Sequence, residues 1–175
     1  MQTLKIALTI IVALLLQMVL PKHVGFFRYL DLPLVITVYF SLQRAPVLGM
    51  AVGVLAGIGG DIIGSGILGV RGFAKTLVAY LVAVASIKLS LENPLARLAV
   101  VAIASAANIV FFIGLNLMLE QSLPLIGTWG DFGRTLGRSV LGDTLVSLVI
   151  FFLLDRIFPE QPAARRMAIK KRFYE

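Results

Sequence analysis

Six apolar stretches separated by short polar breaks run along the 175 residues, and each stretch predicts a helix. The first covers about Ile6 to Leu20, behind Lys5 and ahead of Pro21-Lys22-His23. It has the basic start and apolar centre of a signal peptide but no small-x-small cleavage pattern, so a retained helix is expected. The second, about Leu30 to Leu42, opens at Asp31 and Pro33 behind the aromatic stretch Phe26-Phe27-Arg28-Tyr29, which suits a membrane interface. The third runs from about Pro46 to Ile63, with proline at a helix start where its missing N–H costs nothing. A glycine-rich turn, Gly64 to Gly72, leads to the fourth, about Phe73 to Leu89. The fifth is about Leu95 to Leu119. A polar stretch, Glu120 to Arg134, precedes the sixth, about Leu136 to Phe158, which Pro159 stops.

Crossing a hydrocarbon core of about 30 Å takes about 20 helical residues. Runs one, three, five and six meet this directly, whereas two and four need their charged flanks. Six spans are therefore expected, or five if the second run is re-entrant. Composition agrees: 59% of residues are hydrophobic and 14% charged, with a mean hydropathy of +0.96. A soluble domain has about 25% charged residues and could not cover such a core with so few. The fold class expected is all-α and polytopic, a single six-helix transmembrane domain over 1–158 followed by a basic tail, 159–175.

Basic residues set the orientation. With the N-terminus inside, the inner side collects Lys5, Arg44, Lys88, Arg97, Arg156, Arg165, Arg166, Lys170, Lys171 and Arg172. The outer side collects Lys22, Arg28, Arg71, Lys75, Arg134 and Arg138, so ten against six puts both termini in the cytoplasm. The net charge of +7 owes much to the tail, where Arg165, Arg166, Lys170, Lys171 and Arg172 suit an anionic inner leaflet. No nucleic-acid partner is expected. With no cysteine, disulfides, thiolate nucleophiles and Cys-ligated metals are excluded, and the single histidine, His23, has no other ligand near it in sequence. No metal or cofactor is expected.

Gly49, Gly53, Gly57 and Asp61 recur every four residues on the third helix. That spacing holds them on one slowly drifting face and leaves a groove of bare backbone. Helices in lipid gain packing energy by close backbone approach, so the groove fits either a partner protein's helix or one of this chain's own. Asp61, Arg71, Lys75, Arg138 and Asp143 form a second set, placed at the outer ends of helices three, four and six. Charged groups within a membrane pair or face a cavity, so a structural network is expected there, with a ligand site as the alternative. Asp61 and Asp143 also form the one carboxylate pair of suitable depth for an aspartic protease, but neither has the neighbouring asparagine of the small lipoprotein signal peptidases. Asn108 and Asn116 share a face of helix five and read as interhelical glue.

The order Asp31-Leu32-Pro33-Leu34-Val35-Ile36, Gly49-x3-Gly53-x3-Gly57-x3-Asp61, Ile67-Leu68-Gly69, then Lys75, Leu77 and Tyr80-Leu81 resembles the MreD family of rod shape-determining membrane proteins. The resemblance covers essentially the whole chain. It implies a non-enzymatic scaffold of the lateral peptidoglycan-synthesis machinery in the bacterial cytoplasmic membrane. It also implies binding to MreC, a single-span protein with a large outer domain, and through it to MreB, RodA and a penicillin-binding transpeptidase. The implied fold is similar to the six-helix substrate-binding subunit of energy-coupling-factor vitamin transporters, which supplies the rival function. Those subunits carry Ala-x3-Ala in helix one. Here Ala7 and Ala13 stand six apart, and the outer loops offer few polar groups for a vitamin pocket.

Overall fold

Proline, asparagine and aspartate start three of the helices, and their placement is seen in the computed structural model, which describes residues 2–23, 25–43, 46–64, 67–88, 93–119 and 129–158. The helices are α1 (Gln2–His23), α2 (Leu32–Leu42), α3 (Pro46–Ile63), α4 (Val70–Lys88), α5 (Pro94–Met118) and α6 (Trp129–Ile157), with a 3-10 turn over Gly25–Tyr29. Asp31 caps α2, its carboxylate accepting from the Leu34 N–H at 3.1 Å, and Asn93 caps α5, accepting from Leu95 N–H at 3.0 Å. Each side chain satisfies one of the donors that a helix start leaves open.

α1 runs past its predicted ends to Gln2 and His23 and takes in Pro21, and two further boundaries differ from the sequence reading. α4 begins three residues early because Gly69, at φ +99°, makes the turn into it, a conformation that side chains with a Cβ rarely adopt. α6 begins at Trp129 rather than Leu136, so the end of the supposed polar loop is helix, its glycines notwithstanding. The basic tail, with Arg165, Arg166, Lys170, Lys171 and Arg172, lies outside the described residues.

α2 departs furthest from expectation. Its 11 residues rise about 16 Å, half of a hydrocarbon core. Every residue from Leu32 to Ser41 is buried, and α2 touches all five other helices. It is the central post of the bundle, with no lipid-facing side. Its hydroxyls turn back on their own helix: Thr37 donates to Pro33 O and Ser41 to Thr37 O, both at 2.8 Å. Phe40 packs edgewise on Tyr39 and on Phe158, and the Tyr39 ring lies tilted against Phe151.

Around α2 the bundle is built inside out relative to a water-soluble protein. Leu8, Ile11 and Leu15 on α1, Ile103 and Val110 on α5, and Leu141, Leu145, Val149 and Phe152 on α6 are exposed, whereas Asp61, Lys75, Ser105, Asn108, Asp143 and Ser147 are buried. Apolar side chains lose nothing by facing lipid, and polar ones must be satisfied within. No buried side-chain polar atom among the described residues lacks a hydrogen bond. Four helices are long and apolar enough to cross a membrane: α1, α3, α4 and α5. α2 is too short, and α6, at 29 residues, is long enough but carries Arg134, Arg138, Asp143, Asp155 and Arg156 along its length.

Contacts fix the two ends. Near the end where α6 stops, Tyr39 donates to Asp155 at 2.9 Å and Arg97 lies 3.8 Å from the same carboxylate, tying α2, α5 and α6. At the far end Arg138 of α6 lies over the Tyr29 ring and Arg71 of α4 over Phe112 of α5.

Candidate functional site

α3 and α4 meet backbone to backbone. A Cβ on Gly57 would run into the Gly72 backbone, and one on Gly53 would lie 3.0 Å from the Lys75 carbonyl oxygen. At Gly49 a Cβ would come 3.0 Å from Ser41 Cα of α2. The glycine face therefore rests against this chain's own α4 and α2.

Asp61, one turn beyond Gly57, is buried where α4 begins. Its carboxylate accepts from the N–H groups of Gly69 (2.8 Å), Arg71 (3.2 Å) and Gly72 (3.4 Å), with the Arg71 side chain 3.7 Å away. An anion at the N-terminus of α4 meets both open donors and the positive end of the helix dipole. Asp61 is thus a cap supplied from the neighbouring helix, and the acidic residue that meets both Lys75 and Asp143 is not Asp61.

It is Asp31. At the buried N-terminus of α2, Asp31 pairs with Lys75 of α4, and Asn108 of α5 donates to the same oxygen at 3.5 Å. The Asp31 backbone N–H donates to Asp143 of α6 at 2.8 Å, and Ser105 of α5 donates to the other Asp143 oxygen at 2.6 Å. Gln17 of α1 donates to Leu30 O at 2.7 Å and accepts from Leu32 N–H at 3.0 Å, holding the chain where it enters α2. Five of the six helices converge on this point.

The expected outer-end network is therefore two separate groups. Asp61 goes with Arg71, Lys75 and Asp143 go with Asp31, and Arg138 stands apart, donating to Tyr29 Oη at 3.3 Å. Asp143 lies midway along α6, not at its opening. Asn108 joins the cluster, whereas Asn116 returns to its own helix at Phe112 O, 2.7 Å. Asp31 and Ser105 were not among the candidates. The available signal for Asp31 was an acidic residue opening an apolar run too short to cross a membrane, which forces that start into the interior.

Above the cluster, toward the far end, a cavity of about 560 Å³ opens. Asp31, Lys75, Ser105, Asn108 and Asp143 form its floor, and Leu30, Ile109, Phe112, Ile113 and Phe132 its apolar walls, with Tyr29 and Arg71 also lining it. The Asp31 carboxylate is 31% exposed while the Lys75 side chain is only 3% exposed, so the acid is the member of the pair that a guest would meet. Apart from Asp31, which caps α2, the polar groups of the floor come from within helices and not from loops, which is why short, polar-poor loops gave no sign of a pocket. Among the described residues no group of His, Cys, Asp or Glu has the makings of a metal site.

A helical bundle with an apolar exterior, a charged interior and a cavity over it has the build of a membrane protein. The chain belongs to the MreD family: the model for rod shape-determining protein MreD matches residues 1–157. Membership assigns it to the rod-shape system, as a shape-determining membrane protein. No curated protein and no solved structure matches the chain.

Proposed function

We propose that this protein is a non-enzymatic scaffold of the lateral peptidoglycan-synthesis machinery and that it holds an MreC-like single-span partner at the cavity. The arrangement proposed is six crossings of the bacterial cytoplasmic membrane by a single domain over 1–158, with both termini and the basic tail cytoplasmic. α2, joined to the 3-10 turn, makes its crossing inside the bundle. The fold would be that of energy-coupling-factor substrate-binding subunits. MreB, RodA and a penicillin-binding transpeptidase would be reached through the partner.

The cavity carries this reading. With the termini inside, it opens outward, on the side where an MreC-like protein has its large domain. The glycine face, the other candidate dock, is already filled by α4 and α2. Shape and a satisfied polar floor give the cavity what a recognition site needs.

Filling the cavity tests the reading. Thr135→Trp adds bulk at a wall residue of α6. The variant should insert and fold as the wild type does but lose co-purification of the partner. Wild-type co-purification by a folded variant would defeat the reading.

A small-molecule transporter subunit is the second reading, favoured by one observation. A cavity of about 560 Å³ with a polar floor lies within the roughly 300–1,000 Å³ usual for small-ligand sites. Recovery of a vitamin-sized molecule from the purified protein would favour it over the scaffold.

A further inference from the structure

The charges that line the cavity are not all paired with one another. Two carboxylates, Asp31 and Asp143, and two cations, Lys75 and Arg71, line it, and both cations are engaged away from Asp143. Lys75 is held by Asp31. Arg71 is held by Asp61 and lies 5.2 Å from the centre of the Phe112 ring. Asp143 has only neutral donors, the Ser105 hydroxyl and the Asp31 N–H, and no cation among the described residues lies within ion-pair distance of it. It is 2% exposed, in a setting where an uncompensated charge is costly.

We propose that the cavity receives a basic side chain, an arginine or lysine, carried on a segment of the partner protein; this rests on the reading of the cavity as the partner's dock. The guest's alkyl stem would lie along Ile109 and Ile113, between the aromatic walls Phe112 and Phe132. Its cationic tip would reach the floor beside Asp31 and Asp143. Aromatic faces attract such a tip as the carboxylates do. An anionic guest would meet two carboxylates, and a neutral one would leave Asp143 without a counter-charge. Electrostatic fit of this kind selects one partner among many, because every wrong guest is penalised.

The test uses the full chain in detergent, n-butylguanidinium as probe and n-butanoate as its control, at constant ionic strength. Asp143→Asn removes the charge but keeps an acceptor and the shape. Butylguanidinium should raise the thermal midpoint of the wild type saturably, butanoate should not, and Asp143→Asn should abolish the rise. Removing one member of a desolvated charge pair should also weaken partner binding by about 30-fold or more. Absence of a saturable response in the wild type overturns the proposal, and this arm stands even if the variant does not fold. An equal response in Asp143→Asn overturns it too. A folded Asp143→Asn that binds the partner as tightly as the wild type removes the basic side chain but leaves the dock intact. Failure of the wild type itself to bind the partner, with the butylguanidinium response intact, removes the dock and with it the proposed guest.

Discussion

The two halves of the bundle solve the problem of packing in lipid in opposite ways. Along α3 and α4, side chains are nearly eliminated: Gly53 and Gly57 sit on the backbone of Lys75, Thr76 and Gly72, leaving no space between the helices. Across α5 and α6 there are glycines too, but a Cβ on Gly114, Gly130, Gly133 or Gly137 would meet nothing within 4 Å. Polar side chains of these two helices reach inward to line the cavity, and none of the four glycines is among its lining residues. The same residue type thus makes a helix contact on one side and none on the other. Small residues allow close approach, and whether approach occurs depends on what the facing helix presents. The first half is a rigid wall that carries Lys75 to its partner, and the second is the half with room for a guest.

The strongest way to break this contrast is to remove the charge that joins the halves. Lys75→Met leaves the Asp31 carboxylate without its cation and should destabilise the protein by about 3–5 kcal/mol. Adding Asp31→Asn should restore part of that loss while keeping the cap on α2. Thermal or detergent denaturation of the single and double variants checks both, and a double variant no better than the single would mean that the pair is not coupled.

Next comes bulk at the wall. Gly57→Leu drives a side chain into the Gly72 backbone and should cost about 3 kcal/mol, the upper part of the usual range for overpacking, or prevent folding. Gly137→Leu, facing open space, should change stability by less than about 0.5 kcal/mol. Equal effects at the two positions would erase the distinction between the halves.

The smallest effect is expected at the cap. Asp61→Asn keeps an acceptor for the Gly69 and Arg71 N–H groups but loses the charge at the start of α4, a loss of about 1 kcal/mol. The measurement is a modest fall in thermal midpoint with insertion unchanged. A large fall would mean that Asp61 carries more than the cap and its ion pair.

How much of this was legible along the chain follows from the range of each signal. Apolar runs and their breaks located all six helices, and α3 runs from Pro46 to Ile63 as its pattern predicts, because helix formation in an apolar medium is decided within the segment. The four-residue glycine spacing marked the face of close approach for the same reason. The boundaries that moved, at Val70 and Trp129, lie beside glycines, which act as breakers in the abstract yet are tolerated where helices are otherwise supported.

Partnerships were another matter. Lys75 had Asp61, Asp143 and Arg71 as neighbours in every pattern that could be drawn from spacing, but its partner is Asp31, 44 residues away. Asp31 in turn meets Asp143 across 112 residues. The chain by itself determined an all-α membrane protein, its helices, its tight face and the need for its buried charges to pair. Only the tertiary structure decided which charges meet, that α2 is a half-length post with its start inside the bundle, and that a cavity stands above it. Periodicity is a property of one helix, whereas pairing and cavities depend on the relative depth and facing of several, which no single segment encodes.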